Sequence, residues 1–240
     1  AIEAFDSGSH TAAGARLTSA SGKSFPCLAS QFAPPGTASG KLLFLPGFER
    51  AGVSRCRPAG RIALILPTGG HADRRQALLG LQRRGLRAAI VVSTHVDQLD
   101  GKLVRYPEVR IPVVCVSFLT ACALKRLARP AVTVVVDHAP ARAPGSCNVV
   151  ATVPGRTSDW VAVSSHFDTG AGTPGAIDDA SGTAVVLELA RRLKSSRPRA
   201  SIVFVLTGSE EYGDAHGCGR GALAFYQRRV SDLHHCIAHV

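Results

Sequence analysis

The chain has 240 residues, room for one or two domains at roughly 150 residues each. Its 45% apolar and 19% charged residues are those of a globular protein and exclude a disordered one, and no apolar run approaches the ~20 residues of a membrane span. The net charge of +11 lies wholly in residues 1–150, where 19 Lys and Arg face 8 Asp and Glu, whereas residues 151–240 carry 9 of each. Two differently built halves are expected. The seven cysteines contain no CxxC, which argues against a zinc ribbon and a dense disulfide framework and leaves the compartment open. Cys115 and Cys122 sit in apolar stretches and read as buried thiols. Met is absent, and Ala1–His10 shows no basic stretch followed by an apolar run. A processed, trimmed or partial chain with no visible signal peptide is the expectation.

Residues 1–40 are rich in Ser, Gly, Ala and Pro, and Ala33–Gly40 reads as a loop. Short strands follow at Lys41–Leu45 and Arg61–Leu66, the second an unbroken apolar run of the buried type. Asp73–Arg84 has helical spacing, with Ala77, Leu78 and Leu81 on one face and Gly85 at the C-terminal stop. Strands at Ala88–Val92, Ile111–Val116 and Ala131–Val136, with a short helix at Phe118–Leu127, complete a small α/β unit. Ala139–Pro144 reads as a linker. A second alternation begins at Cys147. Strands at Asn148–Val153 and Trp160–Ser164 flank the turn Pro154–Gly155, and Ala180–Lys194 is an amphipathic helix. Ser201–Thr207 is a buried strand, Gly219–Arg229 a helix, and Cys236–Val240 starts another strand. The expected organisation is two α/β units, residues 1–145 and 146–240.

The second unit holds its acids in three tight groups: His166-Phe167-Asp168 after one strand, Asp178-Asp179 before the helix, and Glu210-Glu211 after the next strand. Ligands of open α/β sheets bind at the carboxyl ends of the strands, and carboxylates crowded there repel one another unless cations neutralise them. A divalent metal answers that need. A histidine two residues before an aspartate shares its strand face, so Asp168 can accept the second ring N–H of His166 and fix the tautomer. The glycines around Asp178 and Asp179 let a carboxylate approach closely, and either aspartate can also cap the helix. Consecutive glutamates point in different directions, so one can ligate while its neighbour acts as general base toward a metal-bound water.

The segment Ser146–Arg229 resembles the opening part of the catalytic domain of the zinc-dependent aminopeptidases with two co-catalytic metals. The resemblance is carried, in order, by NVVATVPG (148–155), VAVSSHFDTG (161–170), PGAIDDASGTAVVLELARRL (174–193) and IVFVLTGSEEYG (202–213). It implies an α/β fold with a largely parallel mixed sheet flanked by helices, and it implies roles. His166 binds one of two zinc ions, Asp178 bridges both through a residue joined to Asp179 by a cis peptide, and Glu211 binds the second. Glu210 is the general base, Asp168 orients His166, and Asp179 supports the ligand shell from outside. The family has a further metal-binding Asp just past the strand starting at Cys236, and a later His. The sequence ends at Val240 before either, and His216, His234, His235 and His239 do not match. The resemblance therefore implies an incomplete metal site and an inactive fragment. The first unit, through GRIALILPTGG…ALLGLQRRGLRAAIVV…IPVVCVS, is similar to a protease-associated domain over about Gly40–Val136.

Other features read as structure. Glu188 is a solvated helix acid, Asp214 a loop residue, and His71 and His95 lack carboxylate neighbours at useful spacing. Gly217–Ala222 mimics a dinucleotide fingerprint without opening from a strand. GTASGKL (36–42) is one residue short of a P-loop, and no GxSxG occurs. The arginines come as doublets on a helix with only 5% aromatics, which reads as a solvated face and not as a nucleic-acid partner. The expected activity is removal of N-terminal residues from peptide substrates. A carboxypeptidase or amide hydrolase on the same two-zinc site, or an inactive peptidase-like interaction module, stays open. The resemblance leans toward a secreted or periplasmic location, and oligomeric state is not legible.

Overall fold

The computed structural model describes residues 1–6, 13–30, 33–68, 70–94, 96–97, 99, 106, 108–138, 145–170, 173–211 and 219–240; the expected linker Ala139–Pro144 lies outside these. Contacts group the chain into two units, one of Ala1–Ser9, Arg142–Gly170 and Pro174–Val240, the other of His10–Ala141 and Ala171–Thr173. The first strand, β1 (Ile2–Asp6), therefore folds with the far end of the chain and not with the residues that follow it. Its partner lies more than 140 residues away (Ile2 faces Val149), a pairing that local composition cannot reveal.

The unit of His10–Ala141 is an eight-stranded sheet. In chain order its elements are β2 (Ala13–Ser19), β3 (Ser24–Phe25), β4 (Leu28–Ala29), β5 (Gly36–Leu45), α1 (Arg50–Arg55), β6 (Ile62–Ile65), α2 (His71–Arg83), β7 (Ala88–Val92), β8 (Val113–Val116), α3 (Phe118–Lys125) and β9 (Ala131–His138). The order is β3-β2-β9-β5-β6-β7-β8-β4, with β5 to β8 parallel and β2, β9 and β5 antiparallel. The stretch from Gly36, expected as a loop, is strand. Gly36–Lys41 pair antiparallel with Ala131–Val136 before Leu42–Leu45 turn to pair with β6. A Cβ on Gly40 would lie 2.8 Å from the Gly60 carbonyl, so glycine is needed where β5 changes partner. The β-branched run Val132, Val134, Val136 on β9 supplies the buried face that makes a strand of this small-residue stretch. The apolar runs on β6, β7 and β8 are buried at every position, as strands covered on both faces must be.

The other unit continues with β10 (Gly145–Val153), β11 (Trp160–His166), α4 (Ser181–Leu193), β12 (Ser201–Thr207), α5 (Arg220–Gln227) and β13 (Cys236–His239). Its sheet runs β1-β10-β12-β11-β13, with β12, β11 and β13 parallel and β1 and β10 antiparallel to their neighbours. Alternation splits each strand between two cores. Val150, Trp160, Ala162, Val203 and Val205 pack on Phe225 of α5, while Val153 and Phe204 pack on Val186 of α4. The mixed α/β architecture is the expected one. The carboxyl ends of the parallel pair β11 and β12 carry His166 and, just beyond Thr207, Glu210 and Glu211.

Candidate metal centre

Strand alternation places Ser165 toward α4 and His166 toward the opposite face. The Asp178–Asp179 peptide is cis, and the two side chains part company there. Asp179 turns inward: its carboxylate accepts from Ser165 Oγ at 2.8 Å and from the Gly182 backbone N–H at 3.0 Å. It thereby ties the start of α4 to β11. A Cβ on Gly182 would come within 2.4 Å of that carboxylate, which is why glycine follows. Burial works against the ionised Asp179, but the hydrogen bonds from Ser165 and from the Gly182 and His166 backbone hold its pKa below the usual carboxylate range. Asp178 points out, with Oδ1 3.0 Å from His166 Nε2.

Asp168 does more than the sequence pattern suggests. The ring of His166 is held not by its carboxylate, which is 3.8 Å from Nδ1, but by its main-chain carbonyl at 2.9 Å. The carboxylate is engaged elsewhere: Oδ1 accepts the Glu210 N–H and Oδ2 the Glu211 N–H, both at 3.0 Å. Asp168 therefore fixes both the histidine and the glutamate pair. Since a carbonyl only accepts, Nδ1 carries a proton, and Nε2 is the ring nitrogen that faces the acids.

His166, Glu210 and Glu211 bring one donor atom each to within 4.8 Å of one another, and Glu210 Oε2 stands 4.0 Å from His166 Nε2. A lone pair surrounded by carboxylate oxygens demands a positive charge, either a proton on Nε2 or a cation among the donors. Imidazole with carboxylates suits a divalent transition metal. Burial disfavours the imidazolium, yet the Asp168 carbonyl, the charges of Glu210 and Asp168 and the hydrogen bond to Asp178 outweigh it and raise the His166 pKa above its ordinary value. Glu211 is 4% exposed, whereas the Glu210 side chain is 39% exposed.

The remaining candidates lie apart from this cluster. Glu188 pairs with Arg191 and Arg192 on the outer face of α4. His239 Nε2 is 2.7 Å from Ser164 Oγ, and His235 lies 3.7 Å from Asp159. Asp214, His216 and His95 are outside the described residues, as are Gly217 and Cys218. Sequence reasoning missed the polar support beneath the site. Thr183 donates to the His166 carbonyl at 3.0 Å, Thr207 to the Ser165 carbonyl at 3.3 Å, and Asn148 reaches the turn before Glu210. Their one sequence signal is a polar residue interrupting an otherwise apolar strand or helix face.

Residues 148–234 match the family model of Peptidase family M28. That segment belongs to this family. Beyond it, the chain is 30% identical over 189 residues to the "Probable lipoprotein aminopeptidase LpqL" of Mycobacterium tuberculosis (strain ATCC 25618 / H37Rv), an alignment covering 75% of this chain and 37% of that protein. Among solved structures, the aminopeptidase from Aneurinibacillus sp. strain AM-1 superposes with a TM-score of 0.67 at 24% identity, covering 100% of this chain and 59% of that one. A Peptidase M28 precursor from Shewanella amazonensis SB2B superposes with a TM-score of 0.75 at 18% identity, covering 100% and 60%. These two share the fold. The chain thus spans little more than a third of that curated relative and about three fifths of the two solved chains.

Proposed function

We propose that this chain carries the first part of the two-zinc site of an aminopeptidase that removes N-terminal residues from peptides. The observation that carries the reading is the convergence of the His166 Nε2 lone pair, Asp178, Glu210 and Glu211 at the carboxyl ends of β11 and β12. The relatives' names support it, among them "Probable lipoprotein aminopeptidase LpqL", "Aminopeptidase YwaD" and "Probable zinc metalloprotease". His166, Asp178 and Glu211 would hold zinc, which when bound lowers the pKa of a coordinated water from ~16 toward ~7.

The chain's own residues divide the remaining work. Asp168 and the Thr183 hydroxyl lock His166 and the glutamate backbone, so the ligands need little reorganisation. Glu211, buried, is placed to ligate. Glu210, more exposed on the same backbone turn, takes the proton of the attacking water and returns it to the departing amine. The unit of His10–Ala141 is read as protease-associated-like.

The test is Glu210→Ala in the whole protein, assayed with aminoacyl anilides bearing free or acetylated N-termini. Hydrolysis of the free substrate is expected to fall by about 10²–10⁴-fold while two zinc ions stay bound. Wild-type rates in the variant would overturn the role of Glu210. Preference of the unaltered protein for the acetylated substrate would overturn the aminopeptidase reading in favour of an amide hydrolase.

A further inference from the structure

The turn that carries Glu210 and Glu211 is held through almost all of its backbone groups. Phe167 N–H donates to the Thr207 carbonyl, Arg220 N–H to Ser209 and Gly219 N–H to Glu210, while Asp168 receives the Glu210 and Glu211 N–H groups. Inside this frame Ser209 adopts φ +54°, the left-handed region that residues with a Cβ seldom enter. Such a conformation persists only where the surroundings over-determine it. One member of the frame comes from β10, a strand that contributes no residue to the metal cluster. Asn148 is 1% exposed; its Oδ1 accepts the Gly208 N–H at 3.3 Å and its Nδ2 donates to the Gly221 carbonyl at 2.8 Å.

We infer that Asn148 is a positioning residue for the glutamate pair, pinning the Gly208–Ser209 turn to the start of α5 so that Glu210 and Glu211 emerge toward His166. The inference rests on the reading of that cluster as a metal site. Asparagine is the residue this junction needs. It must accept from one backbone and donate to another from a single planar group, which aspartate, leucine and serine cannot do at this reach. The two glycines it touches are there for the same reason. A Cβ on Gly221 would lie 2.6 Å from Asn148 Oδ1 and 2.3 Å from the Gly208 carbonyl, and one on Gly208 would lie 2.6 Å from the Cys147 carbonyl. The contact is closed to side chains on both sides, so Asn148 meets the turn backbone directly. Being buried among fixed dipoles, it transmits any displacement to Ser209 and the two residues that follow.

The experiment compares Asn148→Ala, Asn148→Asp and a control, Val150→Ala, with the unaltered sequence, each as the whole protein, using Co²⁺ as the probe. Val150 occupies the same strand and packs in the core with Trp160 and Phe225, so its truncation destabilises the unit without touching the turn. Titration calorimetry and the visible Co²⁺ spectrum are read at a temperature where circular dichroism shows each variant folded. Asn148→Ala is expected to weaken Co²⁺ binding by about 10–100-fold and to shift its absorption bands. Asn148→Asp keeps the volume and the acceptor for Gly208 but sets a carboxylate oxygen against the buried Gly221 carbonyl, so it is expected to lose at least as much as Asn148→Ala, while Val150→Ala keeps wild-type affinity and spectrum. Wild-type affinity and spectrum in Asn148→Ala would overturn the inference. So would an equal loss in Val150→Ala, which would reduce Asn148 to a stability residue. Failure of the unaltered whole protein to bind Co²⁺ would overturn the metal reading beneath it.

Discussion

Asp168 shows how much a single residue can carry. Sequence spacing assigns it to His166, and it does hold that ring, but through its carbonyl; its two carboxylate oxygens are shared between successive N–H groups of Glu210 and Glu211. Only a group with two equivalent acceptors can meet two parallel donors. Asp168→Asn keeps the shape and turns one acceptor into an NH₂ facing an N–H, leaving a buried donor unsatisfied at a cost of about 1–3 kcal/mol. Zinc affinity, measured by calorimetry, is expected to drop by about 10–100-fold in this variant, with its circular dichroism retained. The pairing of histidine with aspartate was legible from spacing, but which atom of the aspartate does the pairing was not. That depends on how β11 and β12 align, Ser165 opposite Leu206 and His166 opposite Thr207.

Among elements, β1 and the turn just past α5 are joined by a contact between residues 226 positions apart. Arg229 Nη1 donates to Glu3 Oε2 at 3.1 Å, its Nη2 contacts Oε1, and its guanidinium lies 3.9 Å over the Phe225 ring. Glu3 and Arg229 side chains are 16% and 22% exposed, so the pair is screened less than a surface bridge. The Arg229 hydrogen bond outweighs the opposing effect of burial and lowers the Glu3 pKa from its ordinary 4.5. A depressed folded pKa stabilises fully above the ordinary value, and that contribution is lost as pH falls below 4.5 toward the folded value. Glu3→Gln is therefore expected to lower unfolding stability by about 1–2 kcal/mol at pH 7. The difference should shrink as the pH is taken from 7 to below 4.5 in urea titrations. A constant difference at both pH values would show that the charge plays no part. The sequence places this N-terminal stretch in the first unit, residues 1–145, because a strand whose partner is distant in sequence has no local signature beyond five residues of alternation.

At the scale of the whole molecule, the excess positive charge belongs to the unit of His10–Ala141, where several arginines are tied to neighbouring carbonyls and acids. Arg74 donates to the Pro67 carbonyl, Arg75 pairs with Glu108, and Arg84 donates to the Ser54 and Cys56 carbonyls at the end of α1. The doublets that stand out in the sequence are divided by helix geometry between such contacts and solvent. This unit has its own apolar core, distinct from the two cores flanking the other sheet. Truncation inside it should leave the metal cluster intact. Ile90→Ala, at a position with no solvent exposure, is expected to cost about 2–5 kcal/mol in urea unfolding of that unit while zinc affinity stays at the wild-type value. A parallel fall in zinc affinity would show that the two units do not behave independently.

The order of strands and helices, the metal-ligand chemistry and the inward and outward faces of each element are local properties. Periodicity, capping and residue type point to the three groups His166-Phe167-Asp168, Asp178-Asp179 and Glu210-Glu211 with no coordinates, and the family resemblance implied the role of each member. The tertiary structure decided what depends on neighbours far away in the chain: that β1 joins the last unit, that the stretch from Gly36 is strand, that Asp179 and not Asp178 turns inward, and that Asn148 braces the glutamates. Each of these is a choice between partners for a backbone or side-chain polar group. Such a group, once buried, must take whichever partner the packed chain brings within hydrogen-bond reach.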